Sequence, residues 1–122
     1  MKNSIQISVV GLWHLGSVTA SCLAEKGFKV NAYDHDETII NNFDIGVLPI
    51  FESGLEDLIN INKKNGTLSF SSDLLSISNS ELIWVTYDTP VNDQDIADVD
   101  FVINHIIALF PYFKEESVVL IS

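Results

Sequence analysis

The chain is poor in cysteine and in basic residues, and each shortage excludes a class of protein. A single cysteine among 122 residues excludes an intrachain disulfide and a metal site built from several cysteines. Only 6 lysines and arginines stand against 17 aspartates and glutamates, so the net charge is −11. Nucleic-acid binding needs a basic surface, which this composition does not provide. Because the acidic surface repels anions, a phosphate site would have to depend on backbone dipoles.

Long apolar runs are also absent. No run approaches the roughly 20 residues that cross a membrane, and no apolar signal segment precedes Ile5. We therefore expect no membrane partner and a cytoplasmic location. Hydrophobic residues nevertheless make up 47% of the chain and charged residues 19%, a composition typical of a folded domain. This length can form one domain with its own core.

Apolar runs alternate with amphipathic segments along the whole chain, which predicts alternating strands and helices. The pattern indicates an α/β fold of the Rossmann type, with a doubly wound parallel sheet in the strand order 3-2-1-4-5 and helices on both faces. Residues 1–122 then form one domain. Because the last predicted strand has nothing after it, we expect an N-terminal piece of a longer protein. The predicted strands are 4–10, 28–33, 68–70, 81–86 and 117–121.

Two helices have recognisable faces or starts. Leu15, Val18 and Cys22 are spaced to form one buried face of the first helix. Cys22 is therefore predicted to be a buried structural thiol rather than a nucleophile. Ser53 and Glu56 form an S-x-x-E capping box, which predicts that a helix begins there.

The turn after the first strand carries the main chemical motif. Gly11 and Gly16 bound the hexapeptide GLWHLG, in the place where dinucleotide-binding folds carry G-x-G-x-x-G. Gly11 allows the tight turn, and Gly16 lets the helix pack close to the sheet. Backbone N–H groups at the helix N-terminus, at Trp13, His14 and Leu15, would face a pyrophosphate.

One acidic residue completes this motif, and one glycine is missing from it. Asp34 lies 18 residues after Gly16, at the end of the second predicted strand. Its carboxylate would accept hydrogen bonds from the adenosine ribose, which favours NAD over NADP. The middle glycine is replaced by Trp13, whose indole either points outward or covers the phosphate site. Two interpretations stay open: an NAD site, or a turn with two useful glycines and a packed indole.

Other candidate ligands are given structural interpretations. His14, His35 and His105 are scattered along the sequence without metal-ligand spacing, so no metal site is predicted. Asp36, after the second predicted strand, is interpreted as the cap of a short helix. Trp84, in the fourth predicted strand, is expected to lie in the core.

Three segments, in order, resemble the UDP-glucose/GDP-mannose dehydrogenase family. The first is residues 7–27, which include the glycine-rich turn. The second, GVLPIFESGL at 46–55, is similar to the family's G-x-x-P-I-x-E-x-G-L loop, which generic Rossmann domains lack. The third is the TPV segment at 89–91. Together these segments extend over nearly the whole chain.

The resemblance implies an activity and a set of site residues. Enzymes of this family oxidise the C6 alcohol of a nucleotide sugar to a carboxylate and reduce two NAD. By resemblance, Gly11, Gly16 and Asp34 would serve the adenosine side of NAD. Thr89 would lie near the cofactor, and Glu52 in a loop near the active-site cleft. From the sequence alone, Glu52 is equally well interpreted as a solvated charge on that loop. The resemblance also implies a homo-oligomer that binds the nucleotide sugar through later segments.

The chain also departs from the family pattern. Trp13 replaces a glycine, His14 stands at a usual tyrosine, and Asp88 stands where glycine often precedes T-P. Ser122 matches the serine of an S-T pair, but the catalytic threonine, cysteine, lysine and asparagine of the family would lie beyond this chain. We therefore expect no catalytic residue here, and no turnover of a nucleotide sugar by this chain alone.

Three other functions can be compared with these residues. A non-catalytic or degenerate NAD-binding module is favoured by Trp13 and Asp88 and stays open. Another Rossmann dehydrogenase, such as a hydroxyacyl-CoA type, lacks the loop at 46–55. A response-regulator receiver needs an acidic pair after its first strand, where this chain has Gly11.

Overall fold

The computed structural model describes residues 5–48, 52–87, 93–94 and 96–121. Within these ranges the chain forms five strands and four α-helices. Two short 3₁₀ helices lie at Leu74–Ile77 and Phe110–Tyr112. The strands are β1 (Gln6–Val10), β2 (Lys29–Tyr33), β3 (Leu68–Ser71), β4 (Leu82–Val85) and β5 (Val118–Ile121), and the helices are α1 (His14–Glu25), α2 (Glu37–Asp44), α3 (Leu55–Asn65) and α4 (Val99–Ile107).

The strands form one parallel sheet in the order β3-β2-β1-β4-β5. This confirms the predicted doubly wound fold and its strand order. Side chains of β1 alternate between two cores, because successive residues of a strand point to opposite faces. Val9 packs with residues of α1, α2 and α3, whereas Val10 packs with Ile83 and Leu109. β1 is therefore central, and the turn that follows it lies between the ends of β2 and β4.

The buried face of α1 differs from the predicted one. Leu15 is 47% exposed and Cys22 is exposed, so the predicted Leu15–Val18–Cys22 face and the buried thiol were both wrong. Only small side chains fit where this helix lies against the sheet, and larger apolar residues are displaced to its edges. Val18 still packs against the core from one side. The buried residues of α1 are Gly16, Ser17, Ala20, Ser21 and Ala24.

The start of α2 agrees with the sequence prediction, whereas the start of α3 differs from it. Asp36 caps α2 by accepting a hydrogen bond from the backbone N–H of Thr38, as its position predicts. The start of α3 is different, because its N-cap is Gly54, with φ of 83°, and no side chain caps it. The predicted capping box beginning at Ser53 was therefore wrong.

The sheet is thinly covered at its β5 edge. All four residues of β5 are exposed, and α4 has no buried residue among those described. Trp84 of β4 is only half-buried, so its predicted core position was wrong. Within the described ranges, no helix is long and apolar enough to cross a membrane.

Candidate cofactor site

The turn after β1 has a backbone shape that requires glycine at its first residue. Gly11 has φ of +96°, and its N–H donates to the carbonyl of Tyr33 at 2.9 Å. A Cβ on Gly11 would lie 2.9 Å from both Cδ1 and the backbone nitrogen of Tyr87. Both the dihedral angle and the close approach exclude other residues here.

Gly16 allows α1 to approach this turn closely. A Cβ on Gly16 would lie 1.8 Å from the carbonyl oxygen of Gly11 and 2.6 Å from Oγ1 of Thr86. The predicted role of Gly16 in close packing is therefore visible in the geometry. The helix N-terminus is held directly against the turn, where its free N–H groups can meet an anion.

A buried threonine from β4's end holds the same turn. The Thr86 hydroxyl lies 2.8 Å from the carbonyl oxygen of Gly11, to which it donates, and 3.0 Å from the carbonyl oxygen of Val10. Thr86 is 1% exposed, so water cannot replace this donor. Sequence reasoning missed this contact because Thr86 is 75 residues away from Gly11.

We predict that Thr86→Val lowers the free energy of unfolding by about 1–2 kcal/mol, because it leaves a buried carbonyl without its side-chain donor. Urea denaturation of both proteins measures this change. Thr38→Val, an exposed position on α2, is the matched control and should change stability by less than about 0.5 kcal/mol. Equal stability of Thr86→Val and the parent would show that the hydroxyl does not support the turn.

Asp34 also has a structural role that the sequence did not predict, because its carboxylate binds backbone N–H groups. The Asp34 residue is 5% exposed, and its carboxylate accepts hydrogen bonds from the backbone N–H of Leu12 at 2.8 Å and of Asp36 at 2.9 Å. One oxygen thus binds the glycine-rich turn, and the other binds the start of the β2–α2 connection. A carboxylate has about four lone-pair sites, so it can still accept hydrogen bonds from a ribose.

An open cleft of about 290 Å³ begins at this carboxylate. Trp13 lies at its side with 47% exposure, at the residue before α1. The volume is near the lower end of the range for small-molecule sites, roughly 300–1,000 Å³. The buried acceptor and the glycine turn fit the adenosine and phosphate parts of a dinucleotide. The cleft is lined by Gly11, Leu12, Trp13, Asp34, His35, Asp36, Ile39, Tyr87 and Phe101.

Aromatic rings from three separate segments line the cleft, those of His35, Tyr87 and Phe101. The ring centres of His35 and His105 are 4.1 Å apart, and those of Phe101 and His105 are 4.3 Å apart. His35 and His105, which looked scattered in the sequence, are therefore neighbours. Burial above all, and then Tyr33 and Asp34, raises the pKa of Tyr87 far above its ordinary value. Its phenol therefore stays neutral and adds no negative charge.

Glu52 lies close to the glycine-rich turn. Its Oε1 is 2.9 Å from Nε2 of His14, the first residue of α1, and both side chains are about half exposed. Glu52, which belongs to the segment that resembles the family's P-I-x-E-x-G-L loop, therefore contacts the start of α1. Thr89 and Asp88, and with them the TPV segment, lie outside the described residues, as does Ser122. Among the residues described, no three His, Cys, Asp or Glu side chains are grouped to hold a metal ion.

Comparisons with known proteins agree with this geometry. Residues 5–122 match the UDP-glucose/GDP-mannose dehydrogenase family, NAD binding domain. The chain is 38% identical over 98 residues to the UDP-glucose 6-dehydrogenase TuaD of Bacillus subtilis, covering 80% of this chain and 21% of that protein. It is 30% identical over 99 residues to the GDP-mannose 6-dehydrogenase of Pseudomonas aeruginosa, covering 80% of this chain and 23% of that one.

A solved structure shows the same relation. A ternary complex of the GDP-mannose dehydrogenase from Pseudomonas aeruginosa superposes with a TM-score of 0.73 at 30% identity, over 81% of this chain and 23% of that chain. The chain thus spans about a quarter or less of the length of these relatives. With its fold, glycine turn and matched residues taken together, the chain belongs to the UDP-glucose/GDP-mannose dehydrogenase family, in which it corresponds to the NAD binding domain.

Proposed function

We propose that this chain binds NAD as one part of a longer enzyme that oxidises the C6 alcohol of a nucleotide sugar to a carboxylate. The named activities of its relatives support this reaction. The exposed apolar residues of β5 and the lack of buried residues in α4 support packing against a further segment. That segment would carry the catalytic residues and the sugar site, so this chain alone would turn over no nucleotide sugar.

The observation that carries the cofactor assignment is the buried Asp34 carboxylate at the end of β2. It borders the cleft and is held in place by the Leu12 N–H. In our proposal it accepts the adenosine ribose hydroxyls, whereas a 2′-phosphate would meet its negative charge. NAD, once bound, supplies the nicotinamide that accepts hydride.

The other predicted residues have supporting positions in this proposal. The turn from Gly11 to Gly16, with the N–H groups of Trp13, His14 and Leu15, receives the pyrophosphate at the start of α1. Glu52 contacts His14 at the start of α1, and in this proposal it belongs to a loop near the active-site cleft. We also propose that Thr89 contacts the cofactor.

The setting of the enzyme follows from the same resemblance. We propose a cytoplasmic homo-oligomer that takes a nucleotide sugar from solution. A single, unpaired and exposed Cys22 is compatible with a reducing compartment.

Titration of NAD into the parent chain and Trp13→Gly tests this function. Because Trp13 is half exposed beside the cleft, we expect both proteins to bind NAD with dissociation constants that agree within about threefold. Binding by the parent should be modest, on the order of 0.1–1 mM. Isothermal titration calorimetry measures the affinities, and circular dichroism checks the fold of the variant.

The opposite result separates the two readings of the site. No binding by the parent, with binding restored in Trp13→Gly, would show that the indole blocks the phosphate site and that the domain is a degenerate NAD module. No binding by either folded protein would refute the NAD site itself.

A further inference from the structure

Two histidines meet at the ribose side of the cleft. Nδ1 of His35 is 3.5 Å from Oδ1 of Asp34, and the His35 side chain is 40% exposed. The His105 ring, from α4, lies 4.1 Å from the His35 ring, centre to centre. One imidazole therefore lines the cleft beside the Asp34 carboxylate, and the second contacts the first. Imidazole is the side-chain group whose ordinary change of charge is nearest to physiological pH.

One hydrogen bond determines which ring nitrogen of His105 can take up a further proton. Nδ1 of His105 lies 2.8 Å from the carbonyl oxygen of Phe101. Because a carbonyl oxygen only accepts, Nδ1 carries the hydrogen, and Nε2 is the atom that takes up the second proton. Protonation therefore makes His105 a cation without breaking its link to α4.

Few other charges face this pair among the described residues. Asp34 and Asp36 face it from the β2–α2 connection, since both line the cleft with His35. Tyr87, after β4, contacts both imidazoles but stays neutral. On α4 the ring that contacts His105 is that of Phe101, which is uncharged. The acidic groups at the start of that helix are Asp98, its N-cap, and Asp100 in its first turn. The sign of the local charge therefore depends on how many of the two imidazoles are protonated.

We propose that His35 and His105 determine the discrimination between NAD and NADP, and that they make it depend on pH. This inference rests on the proposed function, in which Asp34 accepts the ribose hydroxyls. A phosphate on the 2′ oxygen then lies beside His35, because that imidazole is next to the accepting carboxylate. Neutral imidazoles leave the repulsion by Asp34 uncompensated, so NAD is preferred. Protonated imidazoles offset that repulsion and admit the 2′-phosphate.

The experiment compares adenosine 2′,5′-bisphosphate with adenosine 5′-monophosphate, which differ by the 2′-phosphate alone. Calorimetric titrations at pH 8.0 and 5.5 give the ratio of their affinities for the parent protein and for the double variant His35→Gln/His105→Gln. In the parent, we expect the ratio of bisphosphate affinity to monophosphate affinity to be about fivefold higher at pH 5.5 than at pH 8.0, which is the size of a partly exposed ion pair. In the double variant, this increase should be absent.

The comparison of the two proteins also removes a trivial pH effect. A phosphate monoester has a second pKa near 6, so the 2′-phosphate itself loses charge at pH 5.5. That loss is the same in both proteins, and the difference between them reports on the histidines alone. A parent ratio that changes no more than the variant ratio would overturn the proposal.

A second measurement needs no variant and covers the case in which the double variant does not fold. Binding that is favoured by protonation must in turn favour protonation of the bound protein. NMR titration of the imidazole Cε1–H signals should therefore give higher midpoints for both histidines with the bisphosphate than with the monophosphate. Unchanged midpoints in a protein that binds both nucleotides would overturn the proposal. Failure to bind NAD or either nucleotide at any pH would instead refute the proposed function.

Discussion

Gly16→Ala is expected to lower the free energy of unfolding by about 3 kcal/mol or more and to abolish NAD binding. The added Cβ would lie 1.8 Å from the Gly11 carbonyl oxygen and 2.6 Å from the Thr86 hydroxyl. Neither neighbour can move freely, because the carbonyl is backbone and the hydroxyl is hydrogen-bonded to that same carbonyl. Helix α1 must therefore move away from the turn, which separates the phosphate-binding N–H groups from the cleft. Urea denaturation and NAD titration measure the two effects.

Two control variants separate this clash from general effects of alanine. Ser17→Ala changes the neighbouring buried residue of α1, whose hydroxyl has no hydrogen-bond partner among the described residues, and should alter stability by less than about 1 kcal/mol. Gly66→Ala places a Cβ in open space at φ of +81°, which should cost about 1 kcal/mol from backbone conformation alone. Stability of Gly16→Ala equal to that of these controls would refute the close approach of helix and turn.

Asp34→Ala is expected to reduce both stability and cofactor selectivity. The backbone N–H of Leu12 would lose its acceptor in a position where Leu12 is 0% exposed. A buried donor without a partner costs about 1–3 kcal/mol, so we expect the free energy of unfolding to fall by about that amount. The preference for NAD over NADP should narrow by about 1–3 kcal/mol, because the charged acceptor for the ribose is lost. Denaturation and paired titrations of the two cofactors give both values.

Two further variants show which property of Asp34 matters. Asp34→Asn keeps the shape and one acceptor oxygen but removes the charge, so it should weaken the selectivity more than the fold. Glu37→Ala removes a carboxylate three residues away, in the first turn of α2 and outside the lining of the cleft, and should cost less than about 1 kcal/mol of stability with little effect on selectivity. A folded Asp34→Ala protein with unchanged NAD selectivity would exclude this carboxylate from the ribose site.

The fold was predictable because its signals are local and repeated. Alternation of apolar runs with amphipathic segments indicated every strand, and the handedness of parallel connections leaves few possible strand orders. The glycine turn and Asp34 were found because they come directly after predicted strands, and the carboxyl ends of parallel strands meet at one edge of a sheet. The Asp36 cap was also found, since a capping side chain bonds to N–H groups of its own helix.

The tertiary structure decided the contacts between residues that are distant in the chain. The sequence predicted the periodicity of α1, but the distance between helix and sheet decided that Gly16 and Ala20 face inward while Leu15 and Cys22 stay exposed. The meeting of His35 with His105 likewise depends on where α4 lies beside the β2–α2 connection. Periodicity and motifs report which residues share an element, because those relations are set by the geometry of one backbone segment. Distances between elements are set by the packing of the whole core, and no short stretch of sequence contains them.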